Sequence, residues 1–340
     1  MSDTTISPGA REELLARAAV LETDGRLLDA VEALQAADRL GRDLEIETRL
    51  VNLRHAAFDE LTDPPRPDWP PAYPDPFPDV VGAVPEIARD ELTTEVLGGA
   101  ILHHGSLLVR GLLPPAEAAH MRSNAEQTFT ARYARKDGVP LAETAPWFVP
   151  FRKGKHTTFG WQYLVRVPDS PPSMSDLVEV YRSAGVVDAI TGYLGERPAL
   201  SSEKCCFRRA PVTELNENYH QDGAFFGEDC RTVNCWIALS HCGDTAPGID
   251  VLPRRVDHVV DTGTPGAGMY WTIAPNVVAD AGEGIGVVRP VFEPGDALIF
   301  DHLCIHRTAV DLSMTHERLS IECWFFGPST YPERDVPIVI

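Results

Sequence analysis

Apolar positions in the first sixty residues recur with a helical period. Leu27, Val31 and Leu34 fall at i, i+4 and i+7, and Ile46, Leu50, Leu53 and Ala57 repeat that spacing. Asp24-Gly25 separates a first helix from a second, and Gly41 separates the second from a third. Three short amphipathic helices in succession predict a small antiparallel bundle over residues 1–62. Two roles fit such an extension: support packed against a main domain, or a module for docking or homodimerisation. The first is the expectation.

The pattern stops between residues 63 and 88, where Pro64-Pro65-Arg66-Pro67, Pro70-Pro71, Pro74, Pro76 and Pro78 crowd together. Proline lacks an N–H and fixes φ, so this stretch is neither helix interior nor central strand. It reads as an extended connector pinned to a surface by Trp69, Tyr73 and Phe77. Beyond it, Glu91 to His103 has helical character, 105–112 (GSLLVRGL) reads as a strand, and Pro114 to Tyr133 reads as a helix opened by a proline pair. From about residue 155 strand signals dominate, in short runs at 161–167, 203–209, 231–239, 249–252, 286–292, 297–300 and 318–326. Residues 89–340 are therefore predicted to be mostly β with flanking helices, an antiparallel double-sheet barrel or jelly roll. There is no internal repeat and no phosphate-binding glycine loop.

Length and charge narrow the picture. At 340 residues the chain holds one large domain, or a large one with a small one. Lys and Arg number 30 against 50 Asp and Glu, a formal charge of −20. That charge disfavours nucleic acid and an anionic membrane surface, both of which need a basic face. No apolar run approaches the roughly 18 residues of a membrane span. The opening Met-Ser-Asp-Thr-Thr lacks the basic and apolar segments of a secretory signal, so a cytoplasmic location is expected. The seven cysteines are odd in number and unpaired in spacing: Cys205 and Cys206 are adjacent, and Cys230, Cys235 and Cys242 are loosely spaced. They read as reduced thiols filling the core.

Candidate chemistry centres on Tyr219-His220-Gln221-Asp222-Gly223. On a strand, His220 and Asp222 would project from one face and could grip one metal ion. One carboxylate with imidazoles suits iron(II) and related divalent metals, and three protein ligands leave positions open. An isolated His-x-Asp is usually coincidence, so a third ligand is needed. The candidate is His306, which follows the turn Pro294-Gly295-Asp296 and the short apolar run Ala297-Leu298-Ile299-Phe300. His302 lies four residues earlier, but Leu303 replaces the glutamate of a zinc H-E-x-x-H helix, so His302 reads as a neighbour. Twelve residues after His306 comes Arg318, in Arg318-Leu319-Ser320-Ile321-Glu322. Arg318 and Ser320 share a strand face, and a buried guanidinium beside a hydroxyl is a receptor for a carboxylate.

These stretches resemble the phytanoyl-CoA dioxygenase family of iron(II)/2-oxoglutarate oxygenases. The resemblance is carried by YHQDGAFF (219–226), TVNCWIAL (232–239), PGI (247–249), PGDALIFDHLCIHRT (294–308) and RLSIECWF (318–325). It covers about the last 140 residues and leaves out the first eighty or so. It implies a double-stranded β-helix and a metal held by His220, Asp222 and His306. It also implies a co-substrate arginine at Arg318, with Trp236 and Thr308 lining the 2-oxoglutarate pocket. Related halogenases carry Ala or Gly where Asp222 stands, so oxygen chemistry is implied here. The expected cofactors are Fe(II), 2-oxoglutarate and O2.

The expected reaction couples decarboxylation of 2-oxoglutarate to oxidation of a substrate C–H bond, with hydroxylation the first expectation. Oxidative cyclisation to a methylenedioxy or orthoester bridge, or epimerisation, uses the same chemistry. A cupin-like metal protein without 2-oxoglutarate is a further alternative, which Arg318 and Ser320 speak against. The partner is a small molecule. The acidic, Ala-, Arg- and Pro-rich composition resembles that of tailoring enzymes of specialised metabolism, which suggests a sugar-containing or polyketide intermediate. The run Arg152-Lys153-Gly154-Lys155-His156, the segment Gly160-Trp161-Gln162-Tyr163 and the pair Arg208-Arg209 are candidates to meet it.

Overall fold

The computed structural model describes residues 9–66, 68–152, 163–213 and 218–340. In chain order it runs α1 (Ala10–Thr23), α2 (Leu27–Leu40), α3 (Leu44–Ala56), β1 (Glu86–Ala88), α4 (Thr94–His104), β2 (Ser106–Arg110), α5 (Pro115–Lys136) and α6 (Leu141–Thr144). It continues through β3 (Leu164–Arg166), α7 (Pro171–Ser183), α8 (Val186–Leu194), β4 (Ala199–Ala210), α9 (Gly223–Phe226), β5 (Thr232–Ala238) and β6 (Gly248–Val251). The last elements are α10 (Pro275–Gly282), β7 (Ala297–Asp301), β8 (His306–Ala309), β9 (Arg318–Phe326) and β10 (Pro337–Val339). No helix among the described residues is long and apolar enough to cross a membrane.

The large sheet has the order β1-β2-β7-β5-β9-β4-β10, with β3 added to β4. Neighbours in sequence are thus rarely neighbours in the sheet, as a double-stranded β-helix requires. One face carries Val233, Cys235, Ile237, Ile299, Ile321 and Cys323, and the helices cover it with Leu97, Phe129, Tyr181 and Ile190. The opposite face carries Trp236, Leu298, Phe300, Trp324 and Phe326, which pack against Ile249 and Val251 of the small sheet β6–β8. Alternation along each strand sorts the two sets, because successive side chains point to opposite faces. The second face is the barrel interior.

The amino-terminal helices lie where patterning puts them. Asp43 caps α3 by accepting from the backbone N–H of Glu45 and Ile46. The bundle packs Ala30, Leu34, Leu50 and Leu53 against Val339 of β10. Arg54, fully buried, donates to the Val339 carbonyl at 2.9 Å, and Arg182 of α7 pairs with Glu32 at 2.7 Å. Trp69, Tyr73 and Phe77 pack against the main core. The connector runs so close to α4 that a Cβ at Gly98 would stand 2.4 Å from the Tyr73 ring, and one at Gly99 would stand 2.6 Å from the Pro74 carbonyl. Its last residues do more than connect: β1 pairs in parallel with β2 at the sheet edge.

Three expectations fail. Strands were expected to dominate from about residue 155, but residues 171–194, which no expected run covers, are two helices. Met174, Leu177, Val178 and Tyr181 hold the helical spacing and are buried, and Pro171-Pro172 open the first turn, so period outweighs local β-propensity. Residues 286–292 form no strand; only Val288 and Phe292 make bridges, to Val251 and Cys242, and Pro290 between them has no N–H to give. The third is the strand expected around His220 and Asp222, which is a single bridge followed by a helical turn. All seven cysteines are free and buried.

Candidate metal centre

His220, Asp222 and His306 converge. One ligand atom from each lies within 4.8 Å of the others. His306 Nε2 is 3.7 Å from Asp222 Oδ2, and the two imidazole centroids are 4.4 Å apart. His306 begins β8, and its backbone bridges that of His220. Each ring is fixed from behind by a carbonyl: His220 Nδ1 donates to Asn218 O and His306 Nδ1 to Cys304 O, both at 3.1 Å. That leaves both Nε2 lone pairs facing the shared space, which is how metal-binding histidines are oriented.

Asp222 arrives by a different route from the one expected. The segment is not a strand: His220 makes a single bridge, and Asp222 sits at φ −66, ψ −21 at the head of α9. The turn closes through Phe225 and Phe226 N–H donating to the Asp222 carbonyl at 3.1 and 3.0 Å, while Gly223 N–H donates to the His302 carbonyl at 2.9 Å. Between the ligands, Gln221 is fully buried and triply anchored. Its amide donates to the His258 and Leu303 carbonyls and accepts from Val260 N–H. A helical turn next to a bridge, not strand alternation, places the carboxylate.

Electrostatics agree with a cation site. Burial, helped by the His306 imidazole, holds His220 well below the ordinary imidazole range, against the Asn218 hydrogen bond. Burial raises the Asp222 carboxyl, against the pull of His306 and Lys204. Asp222 Oδ2 is buried and accepts no hydrogen bond. A buried carboxylate oxygen without a donor is costly unless a cation takes it. Neutral imidazole nitrogens with one carboxylate are the donor set of a divalent first-row metal. The fit is good.

On β9, Arg318 and Ser320 face the barrel interior, both fully buried. Arg318 Nη1 donates to Gly248 O at 2.9 Å, and its guanidinium lies 5.3 Å from the Trp236 ring centroid. Ser320 Oγ and Trp236 Nε1 are buried and make no hydrogen bond. Thr308 is buried on β8, two residues beyond His306 and on the same face. His302 is not part of the centre: its Nε2 donates to Glu228 O at 2.8 Å, and its ring stacks on Trp69.

Arg208 and Arg209 part company. Arg208 enters the interior and pairs with Glu322 at 3.2 Å, whereas Arg209 lies over the Phe129 ring on the helical side. Burial would raise the Glu322 carboxyl, but Arg208 and Arg318 outweigh it and hold it below the usual carboxylate range. Glu322 and Lys204 were not singled out in sequence. Alternation was the available signal, since 318, 320 and 322 share one strand face, as do 204, 206 and 208. Of the 152–156 run and the 160–163 segment, all but Arg152 and Tyr163 lie outside the described residues.

The fold and site together define a double-stranded β-helix protein with a two-histidine, one-carboxylate centre. No family model matches the chain. No curated protein matches it either. Among solved structures it is similar to EctD from S. alaskensis with bound Fe, at 13% identity and a TM-score of 0.49, covering 69% of this chain and 77% of that one. It is also similar to AviO1 from Streptomyces viridochromogenes Tue57, at 16% and 0.47, covering 71% and 98%. A third is the non-heme alpha ketoglutarate dependent carbocyclase SnoK from nogalamycin biosynthesis, at 14% and 0.46, covering 71% and 87%.

Proposed function

We propose that the chain is an Fe(II)/2-oxoglutarate-dependent oxygenase that oxidises a C–H bond of a small molecule, with hydroxylation as its reaction. One observation carries the reading. A His-Asp-His set, with Asp222 and His306 buried, His220 half-buried and ligand atoms within 4.8 Å of one another, opens into the same barrel interior as a fully buried arginine and serine. Metal and co-substrate, when bound, supply the oxidising chemistry. The chain's own residues bind and orient. His220, Asp222 and His306 hold the metal on one face, the carbonyls of Asn218 and Cys304 fix the two imidazoles, and Gln221 fixes the backbone between the ligands. Arg318 and Ser320 receive the distal carboxylate of 2-oxoglutarate, the guanidinium through paired charge-assisted hydrogen bonds. Trp236 and Thr308 wall that pocket. The apolar interior of Leu298, Phe300 and Trp324 keeps water from the reacting carbon.

A metal protein of this fold that does not use 2-oxoglutarate would have no need for a buried arginine with a serine on the same interior strand face. We read the amino-terminal helices as support for the barrel, because Arg54, Arg182 and Val339 tie them to it.

Anaerobic titration tests the reading. Fe(II) followed by 2-oxoglutarate should produce the visible charge-transfer absorption of an iron chelated by a 2-oxo acid. Admission of oxygen should then convert 2-oxoglutarate to succinate. A protein that binds iron but gives neither signal is not this enzyme. Once a substrate is in hand, product mass separates hydroxylation, which adds one oxygen, from cyclisation, which removes two hydrogens.

A further inference from the structure

Among the described residues, β4 turns a lysine towards the metal side of the barrel that neither the proposed metal nor the proposed co-substrate uses. Glu322 answers Arg208 at 3.2 Å. Asp222 belongs to the metal centre, and Arg318 to 2-oxoglutarate on the reading above. Lys204 remains. It sits on β4 at the same parity as Arg208, and its ammonium has no carboxylate within ion-pair distance among the described residues. Instead it stands 5.0 Å from the Phe225 ring centroid and 5.5 Å from that of Phe226. Those two phenylalanines form the end of α9, the turn that begins at Asp222.

Aromatic rings connect this ammonium back to the metal. Phe225 and Phe226 are 4.8 Å apart, Phe225 meets Trp271 edge-on at 6.0 Å, and Trp271 meets the His220 ring edge-on at 5.6 Å. Trp271 is held there by its neighbours. Ile273 N–H donates to the Tyr219 carbonyl at 2.7 Å, and the Thr272 hydroxyl closes a turn with Met269. Trp271, Phe225 and Phe226 are each half-buried, so part of the aromatic arc is open to solvent. Flat apolar surfaces start at a metal ligand and end at a cation. Such an arc receives an apolar or ring-bearing body whose acidic group lies at the far end.

We propose that Lys204 is a specificity-determining residue which pairs with an anionic group of the substrate, a carboxylate, while the substrate's ring system lies along Trp271, Phe225 and Phe226. The inference rests on the oxygenase reading for the direction in which the substrate lies. Glu322 already faces two guanidinium groups, Arg208 at 3.2 Å and Arg318 at 4.0 Å, so it does not serve Lys204, and a carboxylate on the substrate is the matching charge for the ammonium.

Equilibrium dialysis with two matched probes, 2-naphthoate and 2-naphthalenemethanol, tests this on the full chain. It is run both without metal and after anaerobic loading with Fe(II) and 2-oxoglutarate. Wild type is expected to bind the naphthoate about tenfold or more tightly than the alcohol, the worth of one charge-assisted hydrogen bond. Lys204→Met and Lys204→Gln should erase that preference, and Lys204→Arg should keep it, with affinities for Fe(II) and 2-oxoglutarate unchanged in all three. Equal binding of the two probes by wild type overturns the proposal. So does a preference that survives in the Met and Gln variants, which would put the carboxylate on the metal or on Arg318. Failure of the oxygenase reading shows separately, as absent 2-oxoglutarate binding in wild type before any naphthalene is added, and the metal-free arm then still decides the role of Lys204.

Discussion

His220 and His306 exchange both of their backbone hydrogen bonds: the N–H of His220 donates to the His306 carbonyl at 2.9 Å, and the N–H of His306 returns to the His220 carbonyl at 3.1 Å. The bridge is made by main chain, so the two segments stay together whatever side chain stands at 306. His306→Ala should therefore fold and melt close to wild type without metal. Its iron affinity should fall by more than the ~10–100-fold that follows loss of an outer partner of a ligand. Metal at a hundred times its dissociation constant should stabilise wild type by about 2.7 kcal/mol and leave the variant unchanged. Calorimetric melts with and without Fe(II) or Co(II) read both, and an equal metal-induced shift in the two proteins removes His306 from the centre.

Arg318 is the proposed anchor for a dicarboxylic acid. Arg318→Ala should weaken 2-oxoglutarate binding by about 2–5 kcal/mol, the usual cost of truncating one partner of a buried charged pair. Arg318→Lys keeps the charge but loses the planar fork, and should fall between the two. Iron affinity in the absence of 2-oxoglutarate should stay the same. An Arg318→Lys enzyme with wild-type affinity for 2-oxoglutarate would speak against the assignment.

Gly223 follows Asp222, the proposed carboxylate ligand, and a Cβ there would stand 2.8 Å from Val259 Cγ2 and 3.1 Å from His302 Cδ2. His302 is held by Glu228 and by Trp69, and the backbone N–H of the β-branched Val259 is tied to Glu228 Oε1 at 2.7 Å. Gly223→Ala should shift the turn that carries Asp222. Overpacking of this kind costs about 1–3 kcal/mol of stability. Metal affinity should drop by about 10–100-fold, as when a ligand's support is disturbed. A thermal melt and a metal titration on the same sample separate the two effects.

His241 gives a pH signature away from the centre. Slight burial pushes its imidazole down, but the hydrogen bonds it donates to Asp244 and Glu293 outweigh that and raise it above its ordinary value of about 6.5. A group raised in the folded state stabilises fully below its unfolded pKa, and that stability is lost as pH rises through the folded value. His241→Gln should therefore lower the melting temperature more at pH 6 than at pH 8. The site is exposed, so added salt should shrink the difference. An identical drop at both pH values would show that the clasp carries no charge.

Legibility of the fold followed the range of the interactions. The helices at 27–40 and 44–56 were readable because their apolar spacing and breakers are local. Strands at 203–209, 231–239 and 318–326 were readable for the same reason, within a few residues at their ends. Residues 171–194 lay between the expected strand runs and were not recognised as helices; burial of one helical stripe against the sheet makes them so. In the centre, His220, Asp222 and His306 were identified from the kinds of side chain present. The turn that presents Asp222 was not, since it depends on the carbonyl of His302 from a distant segment.

By itself the sequence determined the donors and the faces: two imidazoles, one carboxylate, and an arginine two residues from a serine on a strand whose period is two. Those are properties of residue type and of spacing within one element. Only the tertiary structure decided which faces meet. It brought the backbone of His306 onto that of His220, set Glu322 against Arg208 and aimed Lys204 at the rings beside Asp222. Periodicity records that a face is buried but not against what, because partners are chosen by the pairing of strands far apart in the chain.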